Sequence, residues 1–145
     1  MRLSVEPFVE FEKIEIICPG RPQGNILIDL SSSTGSLKEL VAQEYVLKEG
    51  SETKVRCVFK VHNTVVLGLK ICSVVDTKVK LFKDEEVLGT FAPNVDAHSE
   101  ETDWNMTPKG FFTRGTYKGK VYFADADGLV HLQYDFKINI KKDWE

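Results

Sequence analysis

Residues 129–144 constrain the fold more than any other part of the chain. Val130, Leu132, Tyr134, Phe136, Ile138 and Ile140 alternate with His131, Gln133, Asp135, Lys137, Asn139 and Lys141. Side chains on a strand leave opposite faces with period two, so this spacing predicts one long strand with an apolar face and a polar face. Tyr134 and Phe136 are neighbours on the apolar face. That face must pack against something large, either a second sheet or a ligand.

Similar apolar sets recur upstream. Ile14, Ile16 and Cys18 form one, and Ile26, Ile28 and Leu30 form another after a Pro/Gly-rich break at 19–24. Val55, Cys57, Phe59 and Val61 follow, then Leu67, Leu69 and Ile71, then Val79, Leu81 and Phe82. Lys83-Asp84-Glu85-Glu86 reads as a charged turn before a strand at 87–91, and 93–110 as a long, acidic, irregular loop. Residues 111–123 are rich in aromatic and β-branched side chains and read as a strand. Turns are expected at 48–51, 62–64 and 125–128. Ser31 to Ser36 reads as a loop, and Ser36-Leu37-Lys38-Glu39 has the spacing of a helical capping box, which predicts one helical turn and no more. About eight or nine short strands with almost no helix predict an all-β antiparallel β-sandwich. The disulfide and tryptophan of antibody domains are missing. A length of 145 residues fits one domain, with 1–10 as a short N-terminal segment and 11–145 as the sandwich.

Several function classes are disfavoured. A net charge of −3 argues against a nucleic-acid partner, because phosphate binding needs a basic face. No apolar run is long enough to span a bilayer, the N-terminus lacks the apolar core of a signal peptide, and the C-terminus carries no prenylation box. Cys18, Cys57 and Cys72 are odd in number, which predicts reduced thiols and a cytoplasmic protein. Cys18 and Cys57 fall on apolar faces, where a thiol acts as a small hydrophobe. Metal binding would want closer spacing with histidine neighbours. Asn105-Met106-Thr107 fits a glycosylation sequon, which a cytosolic protein leaves unmodified. His62, His98 and His131 join no nucleophile–base arrangement and read as solvated, so no enzyme is expected. Asp125-Ala126-Asp127-Gly128 lacks the fifth-position ligand of a calcium loop and reads as a hairpin turn. Gly115, Gly119 and Lys120 lie in a strand-like run, not between strand and helix as a phosphate loop requires. Nine phenylalanines, four tyrosines and two tryptophans fill a core, or leave part of it open to an apolar ligand.

A set of distributed motifs goes further. Tyr45-Val46-Leu47-Lys48-Glu49-Gly50, Phe59-Lys60-Val61 with Val65-Val66-Leu67-Gly68-Leu69-Lys70, Gly89-Thr90-Phe91-Ala92-Pro93, Pro108-Lys109-Gly110 with Arg114-Gly115-Thr116-Tyr117, His131-Leu132 and Ile140-Lys141-Lys142-Asp143-Trp144 occur in order. Together they resemble the Rho GDP-dissociation inhibitors from about Phe8 to Trp144. The resemblance implies an immunoglobulin-like sandwich that binds the geranylgeranyl or farnesyl group of a prenylated, GDP-bound Rho-family small GTPase. Such a protein keeps the GTPase soluble without a cofactor or metal and without inserting stably into the membrane.

On that resemblance the lipid-binding residues are Ile16, Tyr45, Val65, Leu69, Phe112, Tyr134 and Phe136. Tyr45 stands for a family phenylalanine, Val65 for an isoleucine, Phe112 for a leucine, and Tyr134 and Phe136 for a pair of tryptophans. Gly119 replaces an isoleucine, which is expected to enlarge the cavity. Asp125 and Asp127 match an acidic turn that contacts the GTPase, with Ala126 in place of a third acid. Glu100 and Glu101, with Asp103, are expected to attract the basic tail of the GTPase. The family carries a long N-terminal regulatory arm, whereas here only a few residues precede the first predicted strand. These residues are therefore expected to inhibit nucleotide release poorly while still carrying prenylated protein. The alternative is a general carrier of prenylated or myristoylated cargo.

Overall fold

The computed structural model describes residues 6–30, 44–76, 81–110 and 113–144. Among these, ten strands form two sheets: β1 (Phe8–Ile17), β2 (Ile26–Asp29), β3 (Glu44–Lys48), β4 (Glu52–His62), β5 (Val66–Asp76), β6 (Leu81–Phe91), β7 (His98–Glu101), β8 (Asn105–Met106), β9 (Gly115–Ala124) and β10 (Val130–Lys141). One sheet runs β2-β1-β4-β7, with β8 also on β4, and the other runs β3-β10-β9-β5-β6. All pairings are antiparallel except β3 with β10, which is parallel. The result is the β-sandwich the alternation predicts. The capping-box turn at Ser36–Glu39, Val79, and the candidate Phe112 lie outside the described residues.

The sheets pack through their apolar faces. Phe11 packs at a tilt against Phe59 and Phe123 at ring-centroid distances of 5.7 and 4.7 Å, and Phe91 meets Phe59 edge-on at 5.1 Å. Tilted and edge-to-face pairs of this kind add to simple area burial. Val9, Val61, Val66 and Leu69 are fully buried with them, so this end of the sandwich is closed.

Departures from simple alternation have local causes. In β1 the register shifts between Phe11 and Lys13, and this bulge changes the inward positions from Val9 and Phe11 to Ile14 and Ile16. The apolar set at 14–18 therefore captures only the second half of that strand. In β5 the register shifts twice between Val66 and Lys70, around Gly68 at φ 58°, a conformation that favours glycine. Val66 and Leu69 turn inward as a result, and Leu67, expected inside, is 49% exposed.

The expected charged turn at 83–86 is instead the middle of β6. Lys83, Asp84, Glu85 and Glu86 pair with Val74, Ser73, Cys72 and Ile71. Because β6 is an edge strand, its charges stay wet and discourage pairing with other chains. The expected irregular stretch 93–110 contains β7 and β8, both pairing with β4.

Two histidines also differ from expectation. The His98 ring sits against Phe59 and Phe91 at 5.5 and 5.1 Å, and its Nε2 donates to the Ala92 carbonyl at 3.0 Å. The His131 side chain is only 4% exposed and lies 2.9 Å from Asp125 Oδ2. A register shift between Val130 and Leu132 causes this: the bulge turns His131 inward and leaves Val130 exposed. His62 stays half-exposed at the end of β4, beside Glu10 and stacked on Phe8. Cys18 and Cys57 are buried on the apolar faces, as the alternation predicts.

Candidate functional site

At the other end the two sheets do not fill the space between them. A cavity of about 200 Å³ opens there. Period-two alternation delivers its walls: Ile16 from β1, Ile28 from β2 and Val55 from β4 on one side, with Val121, Tyr134, Phe136 and Ile138 from β9 and β10 on the other. Tyr45 and Leu47 close one flank from β3. On the opposite flank β6 contributes Asp84 and Glu86, facing Thr102 and Asn105. The lining is therefore mostly apolar, with the acidic side chains at the β6 edge. Glu86 accepts a hydrogen bond from the Asp103 amide at 2.9 Å, so it links the two layers at that edge.

Ile16, Tyr45, Tyr134 and Phe136, expected together, are brought together here. Val65 and Leu69 are not. Val65 lies in the turn between β4 and β5 and is 38% exposed, while Leu69 is fully buried in the closed end. The alternation already marked Ile28, Val55 and Ile138 as inward, so their part in the walls was available from the sequence. Asp84 and Glu86 were missed because four consecutive charges read as a turn.

Gly119 does not enlarge the cavity. A Cβ built at position 119 would overlap the Phe136 ring, which is its cross-strand partner. The missing isoleucine side chain is replaced by that ring, so glycine and phenylalanine here are complementary parts of one packing arrangement.

Tyr45 carries an unusual polar feature. Tyr45 is 7% exposed, and its hydroxyl is buried without a hydrogen-bond partner among the described residues. Burial raises its pKa. Burial raises that of Tyr134 further, with Tyr45 and Cys57 adding to the effect. Burial also pushes the Cys57 thiol up to about 12, aided by the nearby Glu100. These groups all stay protonated and neutral near pH 7, and a neutral protonated thiol is a poor nucleophile.

The acidic residues divide into engaged and free. Glu101 on β7 contacts Lys54 at 2.6 Å and Arg56 at 2.9 Å, and these two cations lower its pKa. Glu100 sits opposite Cys57 in the β4–β7 ladder, where its backbone carbonyl accepts from the Cys57 thiol at 3.7 Å. At the 125–128 turn, Asp125 is buried. Its Oδ1 accepts from the Asp127 and Leu129 amides at 2.9 and 3.0 Å, and its Oδ2 meets His131. Burial works to raise the Asp125 pKa, but the bonds from His131, Leu129 and Asp127 outweigh it and hold the group below its ordinary range. Asp127 is exposed on the outside of the same turn.

Three separated sequence motifs meet at one corner. Glu49 takes a two-pronged contact from Arg114 at 2.9 and 3.0 Å and a third bond from the Gly110 amide at 2.9 Å. The Glu49 amide in turn donates to the Lys141 carbonyl at 2.8 Å. Arg114 and then the Gly110 amide bring the Glu49 pKa down to about 2. The corner fixes the end of β3, and with it the strand that carries Tyr45.

A family model described as RHO protein GDP dissociation inhibitor matches residues 2–143. The chain is 32% identical over 142 residues to Rho GDP-dissociation inhibitor 1 of Arabidopsis thaliana, covering 97% of this chain and 57% of that protein. It is 33% identical over 140 residues to Rho GDP-dissociation inhibitor 1 of Homo sapiens, covering 96% and 67%. It is 31% identical over 140 residues to Rho GDP-dissociation inhibitor 3 of Mus musculus, covering 96% and 60%. The chain thus spans little more than half the length of the plant relative.

Proposed function

The chain belongs to the Rho GDP-dissociation inhibitor family, and from that premise we propose that its cavity receives the prenyl group of a GDP-bound Rho-family GTPase. The protein would hold that GTPase in the cytosol and regulate its cycling on and off the membrane. The observation that supports this reading is a mostly apolar space between the sheets, walled by side chains from both of them. A family of this kind regulates a GTPase and is not itself an enzyme.

The energetics give each part a role. Burying an isoprenoid is worth roughly 0.8 kcal/mol per CH₂ relative to water. Moving it from a bilayer changes little, since it leaves one apolar medium for another. The cavity makes the cytosolic state tolerable, and contacts with the GTPase surface must supply the surplus. Ligand pockets usually measure about 300–1,000 Å³, so a cavity of about 200 Å³ must widen as the chain enters. Asp84 and Glu86, on the cavity's β6 edge, would attract a basic segment preceding the lipid. The exposed Asp127 offers a second acidic contact, on a turn whose shape Asp125 holds. Glu101, already neutralised by Lys54 and Arg56, contributes less long-range attraction than its charge alone suggests.

The test uses vesicles carrying prenylated, GDP-loaded Rho protein. Adding this chain should move the GTPase into the supernatant in proportion to the chain added, while unprenylated GTPase forms no comparable complex. If the GTPase stays on the vesicles at a large excess of the chain, the proposal fails. If a prenylated peptide alone binds as tightly as the whole GTPase, the general-carrier function replaces it.

A further inference from the structure

We propose that Gly119 is a positioning residue for the lipid site: it gives the Phe136 ring a place against β9, and a side chain there would drive that ring into the space an isoprenoid needs. This rests on the reading of the cavity as an isoprenoid site and names what keeps it open.

The inference begins with why residue 119 is a glycine. Among the described glycines it alone lacks a positive φ, so its backbone does not require glycine, and a glycine inside a strand weakens that strand. The ring supplies the reason. The three heavy atoms nearest to a Cβ built at 119 all belong to the outer end of the Phe136 ring, each under 3.0 Å away. Phe136 and Gly119 are register partners, and opposed Cβ positions in an antiparallel pair lie about 4.5–5.5 Å apart, close to the reach of a phenylalanine side chain. The ring therefore leans sideways across β9 instead of projecting toward the facing sheet. Phe136 on β10 and Val75 on β5, the partners of Gly119 on either side, both line the cavity, while Gly119 lies beneath the ring and does not.

A methyl group at 119 would take the ring's place. The ring cannot retreat through the backbone of β9. Along the sheet it meets Tyr134 and Ile138, which flank it on its own strand, and Val121 on β9. The open direction is the cavity, whose volume is only about 200 Å³. Glycine here adds no volume of its own and instead decides where the ring lies. One methyl group should therefore cost the site far more than it costs the fold.

The test is titration with fluorescent farnesyl-cysteine and geranylgeranyl-cysteine of wild type, Gly119→Ala, Phe136→Ala and the double variant, each checked for folding by thermal melting. Gly119→Ala should bind the probes about tenfold or more weakly, the loss of roughly two buried methylenes. With the ring gone, the same change at 119 should matter little, so the double variant should bind like Phe136→Ala. A folded Gly119→Ala variant that binds within about twofold of wild type overturns the inference and leaves the isoprenoid site standing. So does an equal loss in both backgrounds, which would make residue 119 merely structural. A wild-type measurement decides the matter even if Gly119→Ala does not fold. The Gly119 α protons should be shifted upfield in the NMR spectrum by the ring above them and should stay so at saturating probe. If that shift is missing, or is lost on binding, the ring is not held there and the inference fails. If neither probe binds wild type, the isoprenoid site itself is wrong and the inference goes with it.

Discussion

Phe59 and Val55 point from the same strand into the space between the same two sheets, but into different ends of it. Phe59 is fully buried against Phe11, Phe91 and His98. Val55 is half-buried and faces the cavity. The sheets are continuous from one end to the other, so backbone pairing is not what distinguishes the ends. Side-chain volume does. Four phenylalanines converge at the closed end, whereas mainly aliphatic side chains, two tyrosines and the single Phe136 surround a gap at the other. Interiors are packed as densely as organic crystals, and a gap forfeits the dispersion contacts its walls would have made. The closed end therefore carries stability, and the open end forgoes some of it.

The strongest test of this contrast is Phe59→Ala. Removing a buried ring should cost about 3–5 kcal/mol, read from urea denaturation. A loss below about 1 kcal/mol would mean the aromatic cluster is not the stabilising end. A finer comparison uses one residue type at both ends. Val61→Ala, in the closed end, should cost about 2 kcal/mol, and Val55→Ala, on the cavity wall, about half that or less. Equal losses would erase the distinction.

A last test concerns the turn at the tip of the closed end, where the Ala126 amide donates to the Leu67 carbonyl at 2.8 Å. Asp125 has a lowered native pKa, so its stabilising contribution is complete above the ordinary carboxylate value of about 3.9. The contribution is lost as pH falls through the lowered native value. Asp125→Asn should cost about 1–2 kcal/mol at neutral pH and flatten the fall in stability below about pH 4. An unchanged acid limb in denaturation at several pH values would show that the buried His131–Asp125 contact does not hold this turn.

The legible parts of this molecule are those where period two runs unbroken. The 134–140 part of β10, the inner half of β4 and the second half of β1 follow their apolar sets, so Tyr134, Phe136, Val55 and Ile16 could be placed on inward faces from spacing alone. Illegibility begins at the bulges. One extra residue near Glu12, Gly68 or His131 exchanges the two faces, and nothing in the local composition announces it. That is how Leu67 came to be expected inside and His131 outside. The charges of β6 misled for a different reason: an edge strand tolerates them, while local reading assigns them to a turn. The Tyr45 hydroxyl was invisible to spacing. Whether a phenol finds a partner depends on residues distant in the chain, and its family counterpart is a phenylalanine that raises no such question.

The parallel pairing of β3 with β10 has a consequence for biosynthesis. Lys137, Ile138 and Ile140 are the register partners of Glu44, Tyr45 and Leu47, and among the described residues β3 has no other neighbour in its sheet. A ribosome makes β3 early, yet the segment must wait without a template until β10, the last of the described strands, has emerged. The closed end needs β1, β4, β5, β6 and β9, all of which precede β10. The aromatic cluster can thus begin to order during translation, and the cavity acquires its β3 wall only once β10 has been made.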